Sequence, residues 1–394
     1  MRGWILSWPM ATAMAAVGLG AAIACSVALA PLLRPRVPSY SKDGPKSAET
    51  PAFPAAPPAM SVEAAPGADG TGPIQLRNVT RDAGVTFVHT HGGSGKRFIV
   101  ETVSAGLATF DYDGDGLTDI YFLNGSPLPG TKLGQPVRNA LYRNLGNLRF
   151  VEVTDKAGAG DPGFGMGVAV ADHDNDGLPD VYVSNSGPNV LFHNTGDGTF
   201  TDATTKAGVG RGNRVGAGVC FLDIDGDGNL DLFAANYVKF TFDHPATRFL
   251  GGYLRYPGPS EFEPEHNVLF RNQGDGVFLD VTLPSGVASV AGTGMGVVAG
   301  DFDNDGDDDL FVANDLGANS LFRNNGRGEF QEDGVAAGVA YNFDASATGS
   351  MGADCGDYNN DGWLDIFMTT YQAELPCLYR NHGHGVFEDV TVRA

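Results

Sequence analysis

Beyond residue 73, apolar positions come in short runs broken by Gly, Asn and Asp, and no window sustains a 3.6-residue period. Runs such as Ile120-Tyr-Phe-Leu123, Val181-Tyr-Val183 and Leu310-Phe-Val312 have the length of strands. A second run recurs after each: Leu141-Tyr-Arg-Asn144, Leu191-Phe-His-Asn194, Leu269-Phe-Arg-Asn272, Leu321-Phe-Arg-Asn324 and Leu378-Tyr-Arg-Asn381. A Gly-rich turn follows, then Phe150, Phe200, Phe278, Phe330 or Phe387. Each unit therefore offers four short strands, and the spacing predicts an all-β chain, a β-propeller of four-stranded blades with five blades visible. A parallel β-helix is the alternative, but its repeats would be much shorter. Gly216, Gly218, Gly294 and Gly296 lead into the inner strand of their units, not into a helix, so they do not form a dinucleotide fingerprint.

The units keep register through an acidic nonapeptide. Five copies align without gaps, starting at Asp111, Asp172, Asp223, Asp301 and Asp357, with spacings of 61, 51, 78 and 56 residues. Carboxylates this close repel one another, and a cation relieves the repulsion. Calcium takes six to eight oxygen ligands in flexible geometry. The side chains at positions 1, 3, 5 and 9 supply oxygens, the residue at position 7 supplies its carbonyl, and Gly at position 6 permits the turn. The candidate calcium ligands are Asp111, Asp113, Asp115, Leu117 and Asp119 in the first loop, and Asp172, Asp174, Asp176, Leu178 and Asp180 in the second. They are Asp223, Asp225, Asp227, Asn229 and Asp231 in the third, and Asp301, Asp303, Asp305, Asp307 and Asp309 in the fourth. The fifth has Asp357, Asn359, Asp361, Trp363 and Asp365, where Asn359 replaces a carboxylate and weakens the site. An EF-hand would need Glu at position 12 and flanking helices; position 12 is Phe122, Val183, Ala234, Val312 or Met368. Magnesium fits less well, since it keeps several waters.

Composition then changes meaning. Of 47 acidic residues, 19 are Asp at positions 1, 3, 5 and 9 of the loops, so the net charge of −22 is largely an inventory of metal ligands. Five bound dications would bring it to −12. The charge also argues against nucleic acid as a partner and against an anionic membrane surface. Residues 4–33 carry no charged side chain, which predicts a signal peptide or membrane anchor over 1–33. Residues 34–73 are rich in Pro and Ala and predict an extended linker, leaving 74–394 as the folded part, outside the cytoplasm. Cys220, Cys355 and Cys377 have no close spacing and read as small packing residues, not a disulfide framework.

The Asp-x-Asp-x-Asp-Gly-x-x-Asp loops within four-strand units resemble FG-GAP/VCBS repeats, as in integrin α propellers. Phe87-Val-His-Thr-His-Gly-Gly-Ser-Gly-Lys-Arg-Phe-Ile-Val-Glu-Thr102, Asn236-Tyr-Val-Lys-Phe240 and Tyr256-Pro-Gly-Pro259 resemble the ASPIC/UnbV, cartilage-acidic-protein-like group more closely. The resemblance implies an extracytoplasmic calcium-binding propeller, usually seven-bladed, with no established catalytic centre. This chain departs from the group in lacking a cysteine pair in its long insertion, where Pro257 stands in place of the second. It also stops at Ala394, where another repeat is due, so a C-terminally shortened array is expected.

The insertion 237–266 is aromatic, and Tyr237, Phe249, Tyr253 and Tyr256 are candidates for partner contact; a cover over the neighbouring blade is the equal alternative. His89/His91 and His382/His384 are His-x-His pairs that read as exposed turn residues, with transition-metal binding as the alternative. No Gly-x-Ser-x-Gly or His-Glu-x-x-His occurs. A non-enzymatic module for adhesion or protein interaction is expected, with a carbohydrate-binding, lectin-like propeller as the alternative. A polysaccharide-active enzyme comes third.

Overall fold

The computed structural model describes residues 77–393 apart from positions 94, 104, 133, 135 and 211. The predicted signal or anchor segment and the linker lie outside the described residues. Each repeat folds into a four-stranded antiparallel sheet whose strands follow chain order. The first sheet comprises Leu107–Phe110, Asp119–Phe122, Ala140–Asn144 and Phe150–Glu152. The second comprises Gly165–Ala171, Asp180–Asn185, Val190–Asn194 and Phe200–Asp202. Gly216–Leu222, Asp231–Asn236, Val268–Asn272 and Phe278–Asp280 make the third. Gly294–Gly300, Asp309–Asn314, Ser320–Asn324 and Phe330–Glu332 make the fourth. The fifth is Ser350–Gly356, Asp365–Thr370, Cys377–Asn381 and Phe387–Asp389.

One register repeats throughout. The acidic loop joins the first and second strands, and its ninth residue opens the second strand opposite the residue that precedes the loop. The pairs are Phe110↔Asp119, Ala171↔Asp180, Leu222↔Asp231, Gly300↔Asp309 and Gly356↔Asp365. Side chains alternate across a strand, yet the second strands are apolar on both faces because each middle sheet is covered on both sides. Val181, Val183 and Phe192 pack with Tyr121, Leu123 and Leu141 of the first sheet. Tyr182 and Leu191 point the other way, onto Leu232 and Phe270 of the third. Phe233 and Leu269 meet Leu310, Val312 and Phe322, and Phe311 and Leu321 meet Ile366, Met368 and Tyr379.

The first strands lie side by side and set the spacing of this β-propeller-like stack. A Cβ on Gly167 would lie 2.0 Å from the Ala217 carbonyl oxygen of the next sheet, and one on Gly218 would lie 2.6 Å from that of Met295. The glycines thus permit backbone contact between sheets; they sit within or at the start of the strands they were expected to precede.

Two features were not visible in the hydrophobic pattern. Single-turn helices, Thr154–Ala157, Thr204–Ala207 and Gly334–Ala337, follow the outer strands of the first, second and fourth sheets. Four residues are too few to show a helical period. The insertion contains its own hairpin, Arg248–Leu250 with Tyr253–Arg255. Its base packs Tyr237, Val238, Phe240 and Phe262 against Phe98, Ile99 and Val100 and against Phe164 and Met166 of the second sheet. The insertion is therefore in part a cover. Among the described residues no helix is long and apolar enough to cross a membrane.

Candidate metal centres

The loops are built by their own carboxylates. At position 1, Asp111 accepts the N–H groups of Asp115 (3.1 Å) and Gly116 (2.8 Å), closing the turn. Asp172, Asp301 and Asp357 repeat both bonds at 2.8–3.0 Å. Asp223 does so at 3.2 and 2.9 Å. Gly at position 6 has positive φ in all five loops, from 81° at Gly116 to 97° at Gly306, a conformation that penalises other residues.

Position 9 ties the loop to the third strand. Asp119 accepts the N–H of Tyr112 on one oxygen (3.0 Å) and of Asn144 on the other (2.7 Å). The same pair of bonds recurs at Asp180, Asp231, Asp309 and Asp365. Burial pushes the carboxyls of Asp231 and Asp309 up to about 7, and raises those of Asp119 and Asp365 in the same direction.

Position 3 is different. Asp113, Asp174, Asp225 and Asp303 each hold Oδ1 buried without a hydrogen-bond partner, and Asn359 leaves both its amide atoms so. A buried unpartnered carboxylate oxygen is costly, and its recurrence at one position of four loops fits a donor that faces a cation. One oxygen each from Asp111, Asp113 and Asp115 converges within 4.8 Å, as do Asp172, Asp174 and Asp176, and Asp301, Asp303 and Asp305. In the third loop the convergent set is Asp223, Asp225 and Asp231. The all-oxygen donor sets suit a hard cation such as calcium. The fifth loop has lost one carboxylate to Asn359 and forms no such trio among the described residues.

Sequence reasoning missed what the Leu-x-Arg-Asn run does. Its arginine reaches the acidic loop of its own sheet. Arg143 binds Asp113 (2.7 Å) and Asp115 (2.9 Å), Arg323 binds Asp303 (2.9 Å), Arg380 binds Asp361 (3.1 Å), and Arg271 pairs with Asp225. In the second sheet His193 occupies this place. The asparagine that follows reaches the preceding sheet. The Asn194 amide donates to the Tyr112 carbonyl (2.9 Å), Asn272 to His173 (2.6 Å), Asn324 to Ile224 (2.9 Å) and Asn381 to Phe302 (2.7 Å). Each acceptor is position 2 of a loop, so the loops also latch neighbouring sheets together. The identical Arg-Asn pairs were the available signal.

The partner-contact candidates divide. Tyr237 is only 2% exposed and donates its hydroxyl to Asp315 (2.6 Å); it is a packing residue, a correction to its reading as a contact residue. Tyr256 donates to the buried Glu101 (3.0 Å) and carries Arg97 over its ring. Phe249 and Tyr253, on the hairpin, are 65% and 73% exposed. A cleft of about 240 Å³ is lined by Arg248, Tyr256, Asp315, Tyr371 and Glu374 among others. His89, His91, His382 and His384 are exposed. The three described cysteines are free, and burial pushes the Cys220 thiol up to about 12 and that of Cys377 to about 11, which suits inert packing residues.

A family model described as FG-GAP-like repeat matches residues 111–183, 172–234, 261–312 and 301–368. Cartilage acidic protein 1 of Xenopus tropicalis is 28% identical over 294 residues, covering 70% of this chain and 40% of that protein. The human protein of that name is 29% identical over 177 residues, covering 44% of this chain and 24% of the relative. This chain thus spans between a quarter and two-fifths of the length of these relatives. Among solved structures, an Agrocybe aegerita lectin that recognises non-reducing terminal N-acetylglucosamine aligns with TM-score 0.41 and 18% identity, over 73% of this chain and 66% of its own. An exotype rhamnogalacturonan lyase aligns with TM-score 0.38 and 14% identity, over 74% and 46%.

Proposed function

The chain belongs to the FG-GAP-like repeat family, and we propose that it is an extracytoplasmic β-propeller interaction module, non-enzymatic, whose blades are stabilised by calcium. The observation that carries the calcium assignment is the buried, unpartnered oxygen at position 3 of every loop. Calcium would be held by the carboxylates of positions 1, 3 and 5 with the position 7 carbonyl, beside the position 9 carboxylate that ties each loop to its sheet. Its role is to neutralise the loops and hold their turns, and through the position 2 carbonyls to keep neighbouring sheets in register.

Calcium modules outside the cell bind at roughly 10⁻⁴–10⁻³ M, so these loops fit a compartment with millimolar calcium. A site of about 0.1 mM at about 1 mM calcium contributes about 1.4 kcal/mol, and five such sites about 7 kcal/mol. Melting in calcium against excess chelator tests this; an unchanged melting temperature would refute it. The expected partner is a protein, with the exposed Phe249 and Tyr253 as its contact. A pull-down in calcium and in chelator, with Phe249→Ala and Tyr253→Ala, tests that surface.

One observation favours carbohydrate as the second reading. The cleft beside the insertion combines Tyr256 and Tyr371 with Asp315, Glu374 and Arg248, the aromatic and polar lining that a sugar ring needs. Glycan-array binding abolished by Tyr256→Ala would favour this reading; its absence would leave the protein-partner reading.

A further inference from the structure

At two positions the second unit alone carries a histidine. Loop position 2 is Tyr112, Ile224, Phe302 or Tyr358 elsewhere, and His173 here. The third-strand residue facing the loop is Arg143, Arg271, Arg323 or Arg380 elsewhere, and His193 here. The two imidazoles meet the same carboxylates. His193 Nδ1 lies 3.2 Å from Asp180 Oδ1 and 3.4 Å from Asp174 Oδ2. These separations match the edge of about 3.3 Å between ligands of a tetrahedral metal with bonds of about 2.0–2.1 Å. Donor atoms of His173, Asp174, Asp180 and His193 all fall within 4.8 Å of one another.

Two further observations point to a ligand. His193 Nδ1 and Asp174 Oδ1 are buried atoms with no hydrogen-bond partner. His173, 97% buried by side chain, stacks on Phe278 and directs Nδ1 to the second oxygen of Asp180 at 2.5 Å. That oxygen is not the one His193 faces. A ligating carboxylate held by an imidazole on its far oxygen is a recurrent way to orient it.

We propose that the second loop is a mixed nitrogen–oxygen site for a transition-metal dication of the zinc class. Asp174, Asp180 and His193 are its ligands, and His173 is a positioning residue on Asp180. An arginine at position 193, as in the other sheets, has no lone pair to offer such an ion; an imidazole nitrogen ligates it and selects for it over calcium. Asp174 and Asp180 also belong to the calcium donor set of this loop, so the two ions compete there. The inference uses the geometry of the second loop and does not depend on calcium in the other four.

Cobalt(II) is the probe, because nitrogen ligation in a tetrahedral field gives visible d–d absorption. The protein is the full chain in a background where His89, His91, His382 and His384 are alanine, with calcium at about 1 mM. One equivalent of cobalt with d–d bands, displaced by zinc, is the expected result. His193→Arg should weaken it at least about tenfold while the calcium-dependent melting shift persists. His173→Phe, which keeps the stacking, should weaken cobalt binding with the same melting shift. His193→Gln serves if the arginine variant does not fold. Absence of a cobalt equivalent, or cobalt binding undiminished in the His193 variants, would overturn the inference. Loss of the calcium shift in the parent would instead overturn the calcium reading.

Discussion

The fourth and fifth sheets carry almost the same strand pattern and meet different surroundings. Phe311, in the second strand of the fourth sheet, is fully buried against Ile366, Met368 and Tyr379. Phe367 holds the equivalent place in the fifth sheet and is 47% exposed. The fourth sheet's second strand is buried along its whole length, and that of the fifth is open at Phe367 and Thr369. The position 2 carbonyl of the fourth loop, at Phe302, is latched by Asn381; Tyr358, its counterpart, is half exposed. The fourth loop brings three carboxylates together, and the fifth has Asn359 in place of one of them. The contrast shows that the same apolar pattern is buried on both faces only where a sheet is stacked on both sides, and stability in such a repeat fold accumulates at the sheet–sheet contacts.

Removing calcium should have the largest effect, since it acts on both sheets. Excess chelator should destabilise the protein by several kcal/mol, up to about 7 if every loop is filled. Differential scanning calorimetry reads this, and hydrogen exchange should show the fourth sheet losing more protection than the fifth. Phe311→Ala should then cost about 3–5 kcal/mol in denaturant unfolding. Phe367→Ala, which deletes a half-exposed ring, should cost less than about 1 kcal/mol. Equal losses would break the comparison. Next in size is Asn381→Ala, which leaves the Phe302 and Leu364 carbonyls without a donor and should cost about 1–3 kcal/mol. Asn144→Ala should cost less, because among the described residues its Nδ2 donates to one carbonyl, that of Thr118, and reaches no neighbouring sheet.

The smallest expected signal is a direction with pH. Burial lifts Asp231 and Asp309 to about 7, against about 3.9 for an unfolded-chain Asp. A carboxyl raised on folding stabilises fully below its unfolded value, and its contribution is lost as pH rises through the folded one. In chelator the melting temperature should therefore fall as pH rises from about 5 to about 8. Millimolar calcium, which binds the ionised form, should remove that fall; the same slope in both conditions would contradict it.

Much of this was legible in the sequence. Five in-register copies of one nonapeptide placed the turn between first and second strands, and the flanking apolar runs placed the other strands. The acidic positions were equally clear, since a turn with four carboxylates in nine residues has few other uses. What the sequence hid was partnership. Arg323 and Asn324 are adjacent, yet one meets Asp303 of its own sheet and the other the Ile224 carbonyl of the neighbour, and only the twist and stacking of sheets decide which. Tyr237 and Tyr253 are both insertion tyrosines; the first lies at the base, under the cover, and the second on the exposed hairpin. The His173–His193 pair was invisible because 20 residues of loop and strand separate two side chains that the pairing of the second and third strands brings together.

The central proposal is that the acidic loops hold calcium. Calorimetric titration of metal-free protein with calcium tests this most directly, comparing the parent with Asp303→Asn. The account predicts saturable binding of several ions at submillimolar to millimolar concentration, with the variant losing affinity at one of them while its fold persists. No saturable binding, or a variant that binds the same number of ions with the same affinity, would contradict it.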